Sequence, residues 1–133
     1  MKLLSFALAI VMLASCSKSK SKEIEVVKTQ LQQRYSPVEL EGFEFKSTEL
    51  SNREAYEYIY RLHMKDVDNY RAFPEVIGGI LEKAKRFQTL QGQAKGDTVF
   101  YKVDYAKVAT DTIHSGVYIV GAKGEIVYRR LFK

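Results

Sequence analysis

Val99-Phe100-Tyr101-Lys102-Val103-Asp104-Tyr105 is the stretch that decides the fold. Val99, Tyr101, Val103 and Tyr105 alternate with Phe100, Lys102 and Asp104. Successive side chains of an extended chain point to opposite faces, so this alternation predicts a β-strand with one apolar face. The same period of two returns at Val117 and Ile119, and again at Ile126 and Tyr128. Thr110-Asp111-Thr112 and Ala122-Lys123-Gly124 separate the three segments, and connections this short make neighbouring strands antiparallel. Upstream, Phe43 and Phe45 alternate with Glu44 and Lys46, so residues 40–50 read as a fourth, half-buried strand with Gly42 as a bulge.

Helical spacing accounts for the rest. Ile24, Val27, Leu31 and Tyr35 lie on one helical face, and the pattern ends at Ser36-Pro37 because the residue before proline is pushed out of the α region. Ser51-Asn52-Arg53-Glu54 has the form of a capping box, with the serine accepting from the first turn and the glutamate reaching back. The helix it opens carries Ala55, Tyr56, Ile59, Tyr60, Leu62, His63 and Val67 as an apolar stripe. Pro74 fits a first helical turn and not an interior, so a further helix starts there, with Ile77, Ile80, Leu81, Ala84 and Phe87 along one side. Gly78-Gly79 weakens that helix by ~1 kcal/mol per glycine relative to alanine, which close approach to the sheet would explain.

The order α-β-α-α-β-β-β predicts an α+β domain over residues 23–133, with helices packed on one face of a curved, mainly antiparallel sheet of about four strands. This order resembles the cystatin-like and nuclear-transport-factor-like rolls, in which such a sheet wraps a helix. The resemblance is one of element order and not of motif, so it implies a fold and carries over no functional residue.

Charge argues against nucleic acid as a partner. The net charge of +5 rests on 21 Lys plus Arg, but Lys2, Lys18, Lys20 and Lys22 all precede Glu23, leaving 17 against 16 acidic residues in the folded part. A nucleic-acid surface needs a clustered positive face. Arg129 and Arg130 make too small a patch and read as a solvated strand end.

The single cysteine admits no internal disulfide and no Cys-rich zinc site. Its neighbours give it another meaning. Lys2 is followed by an apolar run over residues 3–13 broken only by Ser5, then by Ala14-Ser15-Cys16. A cation, a short apolar stretch and small residues before a cut are what a secretion signal requires. These eleven residues would span about 16 Å as a helix, half of a ~30 Å hydrocarbon core, so a permanent membrane span is not expected.

Leu13-Ala14-Ser15-Cys16 resembles the lipobox of bacterial lipoproteins. The resemblance implies a signal peptide over residues 1–15, cleavage before Cys16, a diacylglyceryl thioether on its sulfur and acylation of the new amino group, palmitate being one such acyl group. Residues 17–22 alternate serine with lysine and read as a flexible tether. In other lipoproteins an aspartate after the cysteine resembles an inner-membrane retention signal and an acidic run a surface-export signal. This tether has neither, so the expected place is the periplasmic face of the outer membrane.

Strong catalytic signatures are missing: no serine sits in a Gly-x-Ser-x-Gly turn, no second cysteine exists and no nucleotide-binding glycine pattern appears. No cofactor or metal is expected. The expectation is a lipid-anchored envelope domain that binds a protein, peptide or glycan without catalysis. The alternative is a small ligand-pocket protein or enzyme in which Tyr56, Tyr60, His63 and Tyr101 line a cavity between helix and sheet. His63 and Asp66 share one side of a helix turn, a weak metal-ligand spacing, whereas His114 at a strand start reads as exposed.

Overall fold

The computed structural model describes residues 22–108 and 113–132. The expected leader, Cys16, the tether up to residue 21 and the expected turn at Thr110-Asp111-Thr112 lie outside the described residues. The elements are α1 (Lys22–Leu31), α2 (Pro37–Glu41), β1 (Glu44–Ser51), α3 (Asn52–Asn69), α4 (Pro74–Gln93), β2 (Val99–Val108), β3 (Ile113–Val120) and β4 (Ile126–Phe132). The four strands form one sheet in the order β1-β2-β3-β4, and each pairing is antiparallel. The chain is an α+β domain with helices packed on this sheet.

The α3–α4 hairpin explains how β1 and β2 can be antiparallel neighbours across so long a connection. Two antiparallel helices carry the chain out and back, so that Val99 resumes beside Ser51, where β1 ended. The base is closed by the Asn52 N–H donating to the Thr98 carbonyl at 2.8 Å and by the Arg53 guanidinium donating twice to the Ala94 carbonyl, at 3.1 and 2.8 Å. The capping box at Ser51 forms as the sequence indicates: Glu54 N–H donates to Ser51 Oγ and Ser51 N–H to Glu54 Oε1.

Two local expectations are corrected between α1 and β1. Residues 40–50 are not one strand, because Ser36-Pro37-Val38-Glu39 is itself a capping box with proline in the first turn, and it opens the short helix α2. Gly42 is no bulge: at φ −82° and ψ −6° it closes α2, its N–H donating to the Glu39 and Leu40 carbonyls, and β1 begins at Glu44.

The helices do not share one face of the sheet. Val27 and Leu31 of α1 pack with Phe43, Val103, Tyr105, Tyr118 and Val120, whereas Ala55 and Ile59 of α3 pack with Phe100, Val117 and Ile119. The sheet lies between α1 on one side and the α3–α4 pair on the other. The reason is written in β3, where Val117, Tyr118, Ile119 and Val120 are all buried, so both faces need a cover. A hydrogen bond of 2.8 Å from the Ser47 hydroxyl to the buried Glu23 carboxylate also ties α1 to β1. Val27, Ile59, Val117 and Ile119 are each 0% exposed, and full burial of such a side chain contributes ~1.5–3 kcal/mol.

The glycine pair in α4 does not mark a close approach to the sheet. A Cβ added at Gly78 or Gly79 would meet nothing within 4 Å. Helix α4 packs on α3 with Ala84 buried, and it reaches the sheet side through Phe87, whose ring lies 6.2 Å from that of Tyr128. The turn at Ala122-Lys123-Gly124 forms as expected, with Gly124 at φ +84°, a conformation that glycine adopts without strain.

Candidate functional site

The four residues grouped from the sequence do not converge. His63 is 7% exposed, and its Nδ1 lies 2.9 Å from the Ile59 carbonyl oxygen. A carbonyl only accepts, so Nδ1–H donates one turn back along α3. The imidazole stacks on Phe87 with centroids 5.5 Å apart and meets Tyr128 at 5.6 Å. Tyr56 joins the same aromatic group through Phe87 at 6.3 Å and Phe100 at 5.4 Å. Tyr60 is half-buried and belongs to neither core cluster. Tyr101 lies on the opposite face of the sheet, packed on the α1 cluster. Strand parity decides this, since Phe100, its neighbour, is the residue that turns toward Tyr56.

Asp66 does not join His63 in a metal site. Its carboxylate is engaged by Arg130, with Nη1 to Oδ2 at 2.7 Å and Nη2 on Oδ1, and Arg130 Nη1 also donates to the Tyr128 hydroxyl at 3.3 Å. The two side chains are 22% and 19% exposed, and the hydrogen bonds to Asp66 hold the guanidinium above its ordinary pKa. Among the described residues no three His, Cys, Asp or Glu side chains gather as a metal site. His114 is half-buried rather than exposed, its ring 6.1 Å from that of Tyr35.

A different set of groups does converge, on the α1 face. A cleft of about 150 Å³ opens between the end of α1 with the turn that follows it and strands β2 to β4. Gln30, Arg34 and Tyr35 line it from the helix side, and Tyr105, Tyr118 and Arg129 from the sheet. Register builds the sheet side: Tyr118 pairs with Arg129 across β3 and β4, and Tyr105 pairs with Gly116 across β2 and β3. The Tyr105 and Tyr118 rings lie 5.8 Å apart. Gly116 is required because its missing side chain leaves room for Tyr105; a Cβ there would collide with the Tyr105 hydroxyl and come within 2.6 Å of the Arg130 carbonyl oxygen.

Burial pushes the Tyr105 hydroxyl up to about 12, the neighbouring phenols of Tyr118 and Tyr35 adding to the shift and Arg34 and Arg129 opposing it. At neutral pH this hydroxyl keeps its proton and can donate a hydrogen bond. Among the described residues, no carboxylate lines the cleft and neither Arg34 nor Arg129 has an ion-pair partner.

Arg130 is therefore not a solvated strand end, whereas Arg129 stays exposed as expected. Alternation on β4 sends Arg130 under α3 to Asp66 and leaves Arg129 on the cleft side. The only sequence signal for the cleft was the Arg129-Arg130 pair itself, because Arg34 follows α1 at a position that carries no motif.

No family model, curated protein or solved structure matches this chain. Functional assignment therefore rests on its own residues. His63 borders neither the cleft at the end of α1, nor that beside Asp66 and Arg130, nor that at Tyr58 and Lys102. Its Nδ1 is bonded to the Ile59 carbonyl and its ring packs on Phe87 and Tyr128. Among the described residues, no helix is long and apolar enough to cross a membrane.

Proposed function

We propose that this chain is a bacterial lipoprotein of the cell envelope whose folded part is a non-catalytic binding module. The observation that carries the reading is Leu13-Ala14-Ser15-Cys16 standing directly after an apolar run of eleven residues. Acyl chains on Cys16 would hold it in the membrane, since each buried methylene contributes about 0.8 kcal/mol and two or more chains anchor firmly. Lys18 and Lys20 would lie near anionic headgroups and add about 1 kcal/mol each. The tether has neither an aspartate after the cysteine nor an acidic run, which favours the periplasmic face of the outer membrane. A protein, peptide or glycan of the envelope is the partner class.

Two features of the folded part support binding over catalysis. His63 is packed between aromatic rings and borders none of the clefts, which counts against the alternative of a His63-centred pocket or enzyme. Arg34, Arg129, Tyr105 and Tyr118 instead line the cleft beside α1, a place suited to holding a ligand. The roll-like resemblance is supported by β1, α3 and β2, where a helix leaves the end of one strand and covers the sheet before the next strand pairs.

Cys16→Ser is the test of the anchor. In cells fed labelled palmitate, the native chain takes up label and fractionates with membranes, and the variant does neither. Equal labelling of both would overturn the assignment.

A further inference from the structure

We propose that the cleft at the end of α1 binds a phosphate monoester group, with Arg34 and Arg129 as its counter-charges and the tyrosine hydroxyls as additional donors. The proposal goes beyond the partner class named above; it rests on the binding-module reading but does not depend on the lipid anchor.

Charge is the first argument. Arg34 and Arg129 face one cleft, and among the described residues no carboxylate lines it and neither guanidinium is ion-paired. Of the other arginines, Arg130 is held by Asp66, Arg61 by Glu57 and Arg71 by Asp68, Arg53 donates to the Ala94 carbonyl, and Arg86, which also lacks an ion pair among the described residues, lies outside the cleft. Two arginines left to share one concave surface create a site for negative charge. A phosphate monoester supplies about −1.5 to −2 at neutral pH and three acceptor oxygens.

Donor capacity separates phosphate from carboxylate. Each guanidinium offers five N–H donors in a planar fork, and Tyr105 and Tyr118 each offer a hydroxyl. A carboxylate has two oxygens and would leave much of this array unmet, whereas a phosphoryl group presents acceptors in three directions. Tyr105 keeps its proton far above neutral pH, so it donates to a dianion rather than repelling it.

Size narrows the ligand further. About 150 Å³ is the volume of about five liquid waters, well short of the ~300–1,000 Å³ that encloses a whole drug-sized molecule. The cleft takes a terminal group and leaves the rest of the ligand outside. The rings of Tyr105 and Tyr118 floor it, and Gly116 is the position that permits them to lie there.

The source of the phosphate is either a soluble phosphate ester or a lipid headgroup. The full, lipidated chain in uncharged detergent micelles is titrated with glycerol 3-phosphate by calorimetry at low ionic strength, with acetate as the carboxylate control. Saturable one-to-one binding is expected, weakened at least tenfold in Arg34→Gln and in Arg129→Gln, and less in Tyr105→Phe. Both arginines are exposed, so the melting temperatures of these variants should match the native chain and certify folding.

The titration is repeated with the chain in phosphatidylcholine vesicles, with and without phosphatidic acid. Competition by phosphatidic acid identifies a headgroup ligand, and unchanged affinity identifies a soluble one; both support the site. Absent binding, binding indifferent to both arginine substitutions, or acetate binding as tightly as the phosphate ester would overturn it. Hydrolysis of glycerol 3-phosphate during the titration would instead refute the non-catalytic reading while leaving the site in place.

Discussion

Arg130 on β4 and Asp66 on α3 join the C-terminal strand to the helix that covers it, through two parallel N–H to carboxylate hydrogen bonds. The contact is about four-fifths removed from solvent on both sides, and Tyr128 accepts a further bond from the same guanidinium. Fork-to-carboxylate geometry of this kind fixes orientation as well as adding energy. It sets α3 against β4, and it turns the Arg130 guanidinium toward α3 while its sequence neighbour Arg129 lines the cleft at the end of α1.

Asp66→Asn should therefore destabilise the fold. Deleting one partner of a fully buried pair costs about 3–5 kcal/mol, and the remaining exposure here lowers the expected loss to about 2 kcal/mol. Urea denaturation of the variant measures it. A loss below about 0.5 kcal/mol would show that the pair behaves as an ordinary surface contact.

Gly116→Ala tests the floor of the cleft. The added methyl meets the Tyr105 ring and a backbone carbonyl of β4, and the carbonyl cannot move without breaking sheet pairing. Overpacking of this kind costs about 1–3 kcal/mol. Thermal melting should fall by several degrees, and a neutral result would mean that β3 and β4 separate more easily than their register implies.

Alanine at Gly78 or Gly79 should act in the opposite direction. Both lie inside α4 with open space where a Cβ would stand, and neither has a positive φ. Each change should stabilise by about 1 kcal/mol, because alanine has the higher helix propensity and narrows the unfolded ensemble. Loss of stability in either variant would reveal a packing role for the bare backbone.

The α3 cap gives the fold a pH dependence of known sign. The Ser51 backbone N–H, and then its hydroxyl, hold the Glu54 carboxyl below its ordinary value of 4.5. A group whose folded pKa is depressed adds stability above its unfolded pKa, and that stability is lost as pH falls through the folded value. Melting curves of the native chain and Glu54→Gln should accordingly differ at pH 7 and draw together as the pH falls below the ordinary value of 4.5. A gap that stayed constant down to pH 3 would remove the ionised carboxylate from the cap.

Much of the architecture could be read from short-range patterns. Alternation at residues 99–105, the capping box at Ser51 and the proline at the start of α4 report local backbone preference, and local preference is what a linear pattern encodes. The short helix α2 was legible in the same way, since Ser36-Pro37-Val38-Glu39 repeats the logic of Ser51 to Glu54, but the two phenylalanines downstream drew the strand too far back. The four-residue apolar run in β3 fits a sheet covered on both faces, although its period of two taken alone put the helices on one face.

The sequence by itself determined the α+β class, the Ser51 cap and the strand count, and it alone carries the anchor proposal, because Cys16 lies outside the described residues. Tertiary structure decided which side chains meet. It sent Tyr101 to α1 while Phe100 went to Tyr56, paired Asp66 with Arg130 instead of His63, and brought Arg34 to Arg129 from opposite ends of the domain. Alternation tells which residues share a face, but only strand register and the choice of covering helix tell what faces them, and those depend on contacts between residues far apart in the chain.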